Sequence, residues 1–135
     1  QGKWKENCPR LMNLIATITR IFNMKVTSTR INEYRSGDDW KPYHHDAAAI
    51  KDHIKKIQNI TVSVSFGATR SVAFQNAKNS TTMSIPLIDG TIYSFGRQVN
   101  IDYKHGILKE EADVGPRISV ILWGWVEQLE PSPYQ

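Results

Sequence analysis

The sequence predicts a mainly β fold, a sandwich or barrel with one helix packed outside it. Three observations carry that expectation. Only one strong stripe, near the N-terminus, repeats apolar residues at helical spacing. Most of the remaining chain is β-branched or alternates with a period of two, in short pieces separated by Gly, Pro, Asp and Asn. A chain of 135 residues, 40% of them hydrophobic, is enough for one core and one domain.

The helix comes first. Leu11, Leu14, Ile15, Ile18 and Phe22 form its stripe, and Pro9 stands where a first turn tolerates proline. It should run over about residues 9–23 and pack on a sheet. The strands follow in order: Lys25–Arg35, Ile60–Phe66 ending at Gly67, Val72–Gln75, Thr82–Leu87, Thr91–Phe95, Val99–Tyr103 and Arg117–Val126. Asp89-Gly90, between the fourth and fifth of these, reads as a hairpin turn. Ala47–Gln58 carries a helical turn around Ile50, Ile54 and Ile57, with Lys51, Lys55 and Lys56 on its solvated face. Lys109–Gly115 is a polar loop, and the terminal PSPYQ is a frayed tail.

The net charge is +4 and the pI about 9.3. The basic residues are scattered, which permits an anionic partner such as nucleic acid without demanding one. Cys8 is the single cysteine, so no internal disulfide forms. That fits a reducing, intracellular setting, cytoplasmic or nuclear. No apolar run approaches the length of a membrane span, and no membrane partner is expected.

The chemistry gathers at WKPYHHDAAA, Trp40–Ala49. In an extended segment, residues two apart share a face, so His44 and Asp46 point one way and His45 the other. With the distant His105 they would supply two imidazoles and one carboxylate to one side of a metal, leaving open positions opposite. The tripeptide alone reads equally as a surface turn in which Asp46 bonds neighbouring amides. His105 alone reads equally as an exposed histidine at a strand end.

The ordered set INEYRSGDDWKPYHHD, ITVSVSFGATRSVAFQN, LIDGTIYSFGRQVNIDYKHGI and PRISVILWGW resembles the AlkB-like family of Fe(II)/2-oxoglutarate dioxygenases. The resemblance runs from about Lys25 to Trp125. It implies a double-stranded β-helix (jelly-roll) with one N-terminal helix packed on the sheet. The divisions would be a helical segment at 1–24, the core at 25–126 and a tail at 127–135. It implies His44, Asp46 and His105 as iron ligands, and Asn32, Tyr34 and Arg117 as the residues that hold 2-oxoglutarate. Ser119, on the same face as Arg117, adds a candidate hydrogen bond. An arginine suits a carboxylate because its planar fork grips both oxygens. The implied activity uses Fe(II), 2-oxoglutarate and O2. It yields succinate and carbon dioxide while hydroxylating a substrate C–H; on an N-methyl group the product collapses to formaldehyde and a demethylated amine.

Three departures bear on this. The family's second arginine, six residues after Arg117, is Trp123 here. Either Arg97 or Arg70 supplies that charge, or co-substrate binding is weaker, and Trp123 itself reads most plainly as core filling. Ala48 stands where nucleic-acid repair members often place an acid. Only residues 1–24 precede the core, too few for the aromatic lid that holds a flipped base. Trp40, Tyr43 and Phe95 are candidates for the substrate side. The leading expectation is a hydroxylase or demethylase with alkylated or methylated nucleic acid as its default substrate. The alternatives are an oxygenase of proteins or small molecules, and a non-catalytic binding domain that keeps the fold.

Overall fold

The computed structural model describes residues 3–130. A short helix α1 (Trp4–Asn7) precedes α2 (Pro9–Phe22), which has proline in its first turn as expected. Asn23 closes α2 in the left-handed region (φ 48°, ψ 46°), a conformation its short polar side chain tolerates. Eight strands follow: β1 (Lys25–Tyr34), β2 (Lys41–His44), β3 (Ile60–Gly67), β4 (Arg70–Asn76), β5 (Thr82–Leu87), β6 (Ile92–Gly96), β7 (Tyr103–Ile107) and β8 (Arg117–Trp125). A 3-10 turn (Ala47–Ala49) and α3 (Asp52–Lys55) lie between β2 and β3; α4 (Arg97–Asp102) lies between β6 and β7.

The strands form two four-stranded antiparallel sheets, ordered β1-β8-β3-β6 and β2-β7-β4-β5. This is the jelly-roll the sequence led one to expect. The first sheet decides the architecture. On β3, Ile60, Val62 and Val64 pack with Val120 and Leu122 of β8 against Ile18 of α2, with Leu11, Leu14, Ile15 and Phe22 around them. The residues between them face the other way, into the space between the sheets: Thr61 and Ser63 of β3, and Arg117, Ser119, Ile121 and Trp123 of β8. Burial of the first set drives the sheet onto the helix. The second set leaves a polar interior.

Two expectations are corrected. Asp89-Gly90 does not close a hairpin, because β5 pairs with β4 and β6 with β3, in different sheets. The turn instead docks on the end of β3: Gly67 N–H donates to Asp89 Oδ1 (2.9 Å) and Gly90 N–H to the Ser65 carbonyl (2.7 Å). Val99–Tyr103 is not a strand; residues 97–102 are helical. Val99 and Ile101 face solvent while Asn100 is buried on the site side, so the alternation was real but its sense was inverted. Finally, β2 and β7, which carry the histidines, had no clear signal. The tail expected at PSPYQ lies outside the described residues.

Candidate metal and co-substrate site

His44 is the last residue of β2 and His105 lies in β7, and the two are register partners. Their rings sit 4.3 Å apart. Gly106 makes this close pairing possible: a Cβ there would stand 2.5 Å from the Lys41 carbonyl oxygen. Asp46 follows β2 in extended conformation and starts the 3-10 turn. The ligating atoms of His44, Asp46 and His105 all lie within 4.8 Å of one another.

The carboxylate of Asp46 is divided by its surroundings. Oδ2 accepts from Thr61 Oγ1 (2.7 Å) and Trp123 Nε1 (3.0 Å). Oδ1 faces the imidazoles, 3.4 Å from His105 Nε2 and 3.7 Å from His44 Nε2. Burial opposes the charge of Asp46, but hydrogen bonds from His105, Thr61 and Trp123 offset it and hold the carboxyl at about 2. Its backbone is fixed as well: Asp46 N–H donates to Asn100 Oδ1 (2.9 Å), and Asn100 Nδ2 returns to the Asp46 carbonyl (3.4 Å).

His44 is prepared in the same sense. The Pro42 carbonyl lies 2.8 Å from His44 Nδ1; because it only accepts, it places the proton there and leaves the Nε2 lone pair toward Asp46. Burial pushes the His44 pKa down, favouring the neutral form that binds metal. His105 lies against Phe95, with ring centres 4.9 Å apart. His45, as expected, is outside the triad; its Nδ1 is anchored on the Asn100 carbonyl at 2.6 Å.

From this cluster a cavity of about 310 Å³ runs between the sheets to Arg117. Asn32 and Tyr34 of β1 line it, paired in register with Ser119 and Arg117 of β8. Arg117 is 1% exposed, yet only its Nη2 makes a hydrogen bond, to Ser65 Oγ (2.9 Å); Nε and Nη1 have none. The guanidinium lies 5.1 Å from the Tyr34 ring centre. Among the described residues no carboxylate side chain pairs with it. Burial lowers its pKa, and burial raises those of Tyr34 and of Tyr93, the latter to about 12. The cavity end is thus a buried cation, short of hydrogen-bond acceptors, beside neutral phenols. An uncompensated buried charge is costly, so this arrangement calls for an anion.

The structure brings together seven of the ten candidates: His44, Asp46, His105, Asn32, Tyr34, Arg117 and Ser119. The three substrate-side candidates do not reach the cavity wall. Phe95 is 7% exposed and belongs to the core behind His105. Trp40 is 48% exposed, with Lys109 Nζ 5.5 Å from its ring centre. Tyr43, next to His44 on β2, is not among the residues that line the cavity. Arg70 and Arg97 are also elsewhere. Arg70 donates to the carbonyls of Ser36, Asp39 and Leu108, tying two loops together. Arg97 pairs with Glu130 at 2.8 Å.

Sequence reasoning missed Thr61, Ser65 and Asn100, and misjudged Trp123. Thr61 and Ser65 sit on a strand it recognised, and their polarity on an inward face was the available signal. Asn100 was hidden by the strand reading of its segment. Trp123 was read as core filling, and its indole N–H was not matched to Asp46.

Two imidazole nitrogens, one ionised carboxylate oxygen and a distant unpaired guanidinium fit a ferrous ion with a dicarboxylate co-substrate. The model for the 2OG-Fe(II) oxygenase superfamily matches residues 1–127. No curated protein sequence matches the chain. The solved structure of OsALKBH1 shares its fold with a TM-score of 0.60 at 17% identity, over 75% of this chain and 49% of that one. The chain thus matches about half the length of OsALKBH1.

Proposed function

The chain belongs to the 2OG-Fe(II) oxygenase superfamily, and from that premise we propose that it is an active dioxygenase of AlkB-like type. It would couple oxidative decarboxylation of 2-oxoglutarate to hydroxylation or oxidative demethylation of a second substrate. The observation that carries this reading is the pairing of a His-Asp-His cluster with a buried, unpaired Arg117 at the two ends of one cavity.

His44, Asp46 and His105 would hold the iron, which when bound supplies the activation of oxygen that drives decarboxylation. Thr61 and Trp123 occupy one carboxylate oxygen of Asp46, so that a single oxygen is presented. Pro42 keeps the His44 proton off the ligating nitrogen. Arg117 would grip the far carboxylate of 2-oxoglutarate, while Ser65 steadies its Nη2. Tyr34, whose hydroxyl stays protonated, is available as a neutral donor along the chain of the co-substrate.

For the second substrate, methylated nucleic acid is the default, supported by the sequence resemblance. A protein or small-molecule substrate is the second reading. It is favoured by Ala48, a buried alanine where a base-contacting acid would be expected. The test is anaerobic addition of Fe(II) and 2-oxoglutarate. A visible charge-transfer band is expected, followed by succinate once oxygen is admitted. Folded protein that shows no band would sink the enzyme reading, and a band unchanged in His44→Ala would sink the ligand assignment. Succinate formation compared between methylated oligonucleotides and methylated peptides then separates the two substrates.

A further inference from the structure

The cavity has one buried cation, Arg117, for a co-substrate that carries a carboxylate at each end. The neighbours of the metal end are Asp46, three histidines and Trp123. Trp123 has no charge to offer, and its one donor is used on Asp46. Arg70 and Arg97 are held by carbonyls and Glu130 away from the cavity. Two basic side chains remain on the cavity wall, Arg30 of β1 and Lys41 of β2. Among the described residues neither is in a salt bridge.

Arg30 is the better placed. It stands on the inward face of β1, two and four residues before Asn32 and Tyr34, so the three form one stripe along the cavity. It pairs with Ile121, next along β8 to the residues flanking Trp123. Its guanidinium carbon lies 5.9 Å from the centre of the Trp123 ring, over the same indole whose N–H holds Asp46. A cation stacked on an aromatic face is held in direction while its N–H edges stay open. Lys41 offers only a compact ammonium on a flexible stem from the opposite sheet.

We propose that Arg30 binds the metal-end carboxylate of 2-oxoglutarate and that Trp123 is its platform. The task of one cationic side chain is here divided across two neighbouring strands: Trp123 positions Asp46, and Arg30 carries the charge. This rests on the reading of the cavity as a 2-oxoglutarate site.

The experiment is anaerobic titration calorimetry of the Fe(II)-loaded protein with two ligands. One is 2-oxoglutarate. The other is levulinate, which keeps the keto group and the far carboxylate but has a methyl in place of the near one. Arg30→Met should weaken 2-oxoglutarate binding about fivefold, a modest loss because Arg30 is exposed. Levulinate binding should be unchanged, and Arg30→Lys should recover part of the loss. Arg117→Met, by contrast, should weaken both ligands. Unchanged 2-oxoglutarate binding in Arg30→Met, or equal weakening of both ligands, would overturn the assignment. So would a selective loss in Lys41→Met instead. A wild-type protein that binds no 2-oxoglutarate would fail the underlying function and not the division of labour within it.

Discussion

The two faces of the β1-β8-β3-β6 sheet are made by alternate residues of the same strands, yet they do opposite work. Outward, Val62, Val64, Val120 and Leu122 are closed under α2 and supply cohesion. Inward, Thr61, Ser63, Arg117, Ser119 and Trp123 are nearly as hidden from water but polar, and they are committed to a site. Burial alone does not separate structure from chemistry in this sheet; the direction of the side chain does. The inward face holds a charge that the fold itself leaves unpaired, so it is maintained at a cost to stability that the outward face offsets.

The largest test of that contrast is on the outward side. Leu122→Ala removes a fully buried side chain and should cost about 3 kcal/mol in denaturant unfolding, as core leucine truncations do. Where the variant is folded, its affinity for 2-oxoglutarate should match wild type. Arg117→Met is the inverse. It should weaken 2-oxoglutarate about a hundredfold, as loss of a buried ionic partner does. The metal-free protein should unfold no more easily than wild type, because a lone buried charge has been removed. A clear loss of stability there would make Arg117 structural.

Acid should find the inward side as well. The Asp46 carboxyl is lowered from its ordinary value of 3.8 to about 2. Its stabilising contribution, about 2 kcal/mol at 1.36 kcal/mol per unit, is full above pH 4 or so and is lost as the pH falls toward 2. His44, whose pKa is also lowered, adds to the loss on the acid side, since the folded state resists its protonation. Metal-free Asp46→Asn should show a flatter stability profile over this range. The smallest effect is expected from Trp123→Phe, which keeps the ring and deletes the N–H. Fe(II) affinity should drop about tenfold, typical of losing a partner to a ligand, with little change in unfolding. An unchanged iron affinity would return Trp123 to the role of core filler.

The sequence made one face legible and the other only in part. The α2 stripe and the strands at Lys25, Ile60 and Arg117 were readable because their periods are long and regular. The His44-Asp46-His105 cluster was readable because His44 and Asp46 are two apart and His105 completes an ordered motif set. What escaped was set by tertiary pairing. β2 is four residues long and gains its conformation from β7. Asp89-Gly90 has the chemistry of a hairpin, but β5 and β6 each had a better partner already in place. Residues 97–102 alternate like a strand but are helical, with Asn100 turned inward to bond Asp46. Trp40, Tyr43 and Phe95 were nominated for being aromatic and near the ligands in sequence, and nearness in sequence does not fix direction.

Arg117 has a consequence for the life of the molecule as well as for its chemistry. A ligand that binds only the folded chain raises its stability by about 1.4 kcal/mol for each tenfold excess over the dissociation constant. On the proposed reading of Arg117, that ligand would also relieve a buried charge that no carboxylate side chain among the described residues pairs. Resistance to unfolding and to proteolysis should therefore rise with added 2-oxoglutarate.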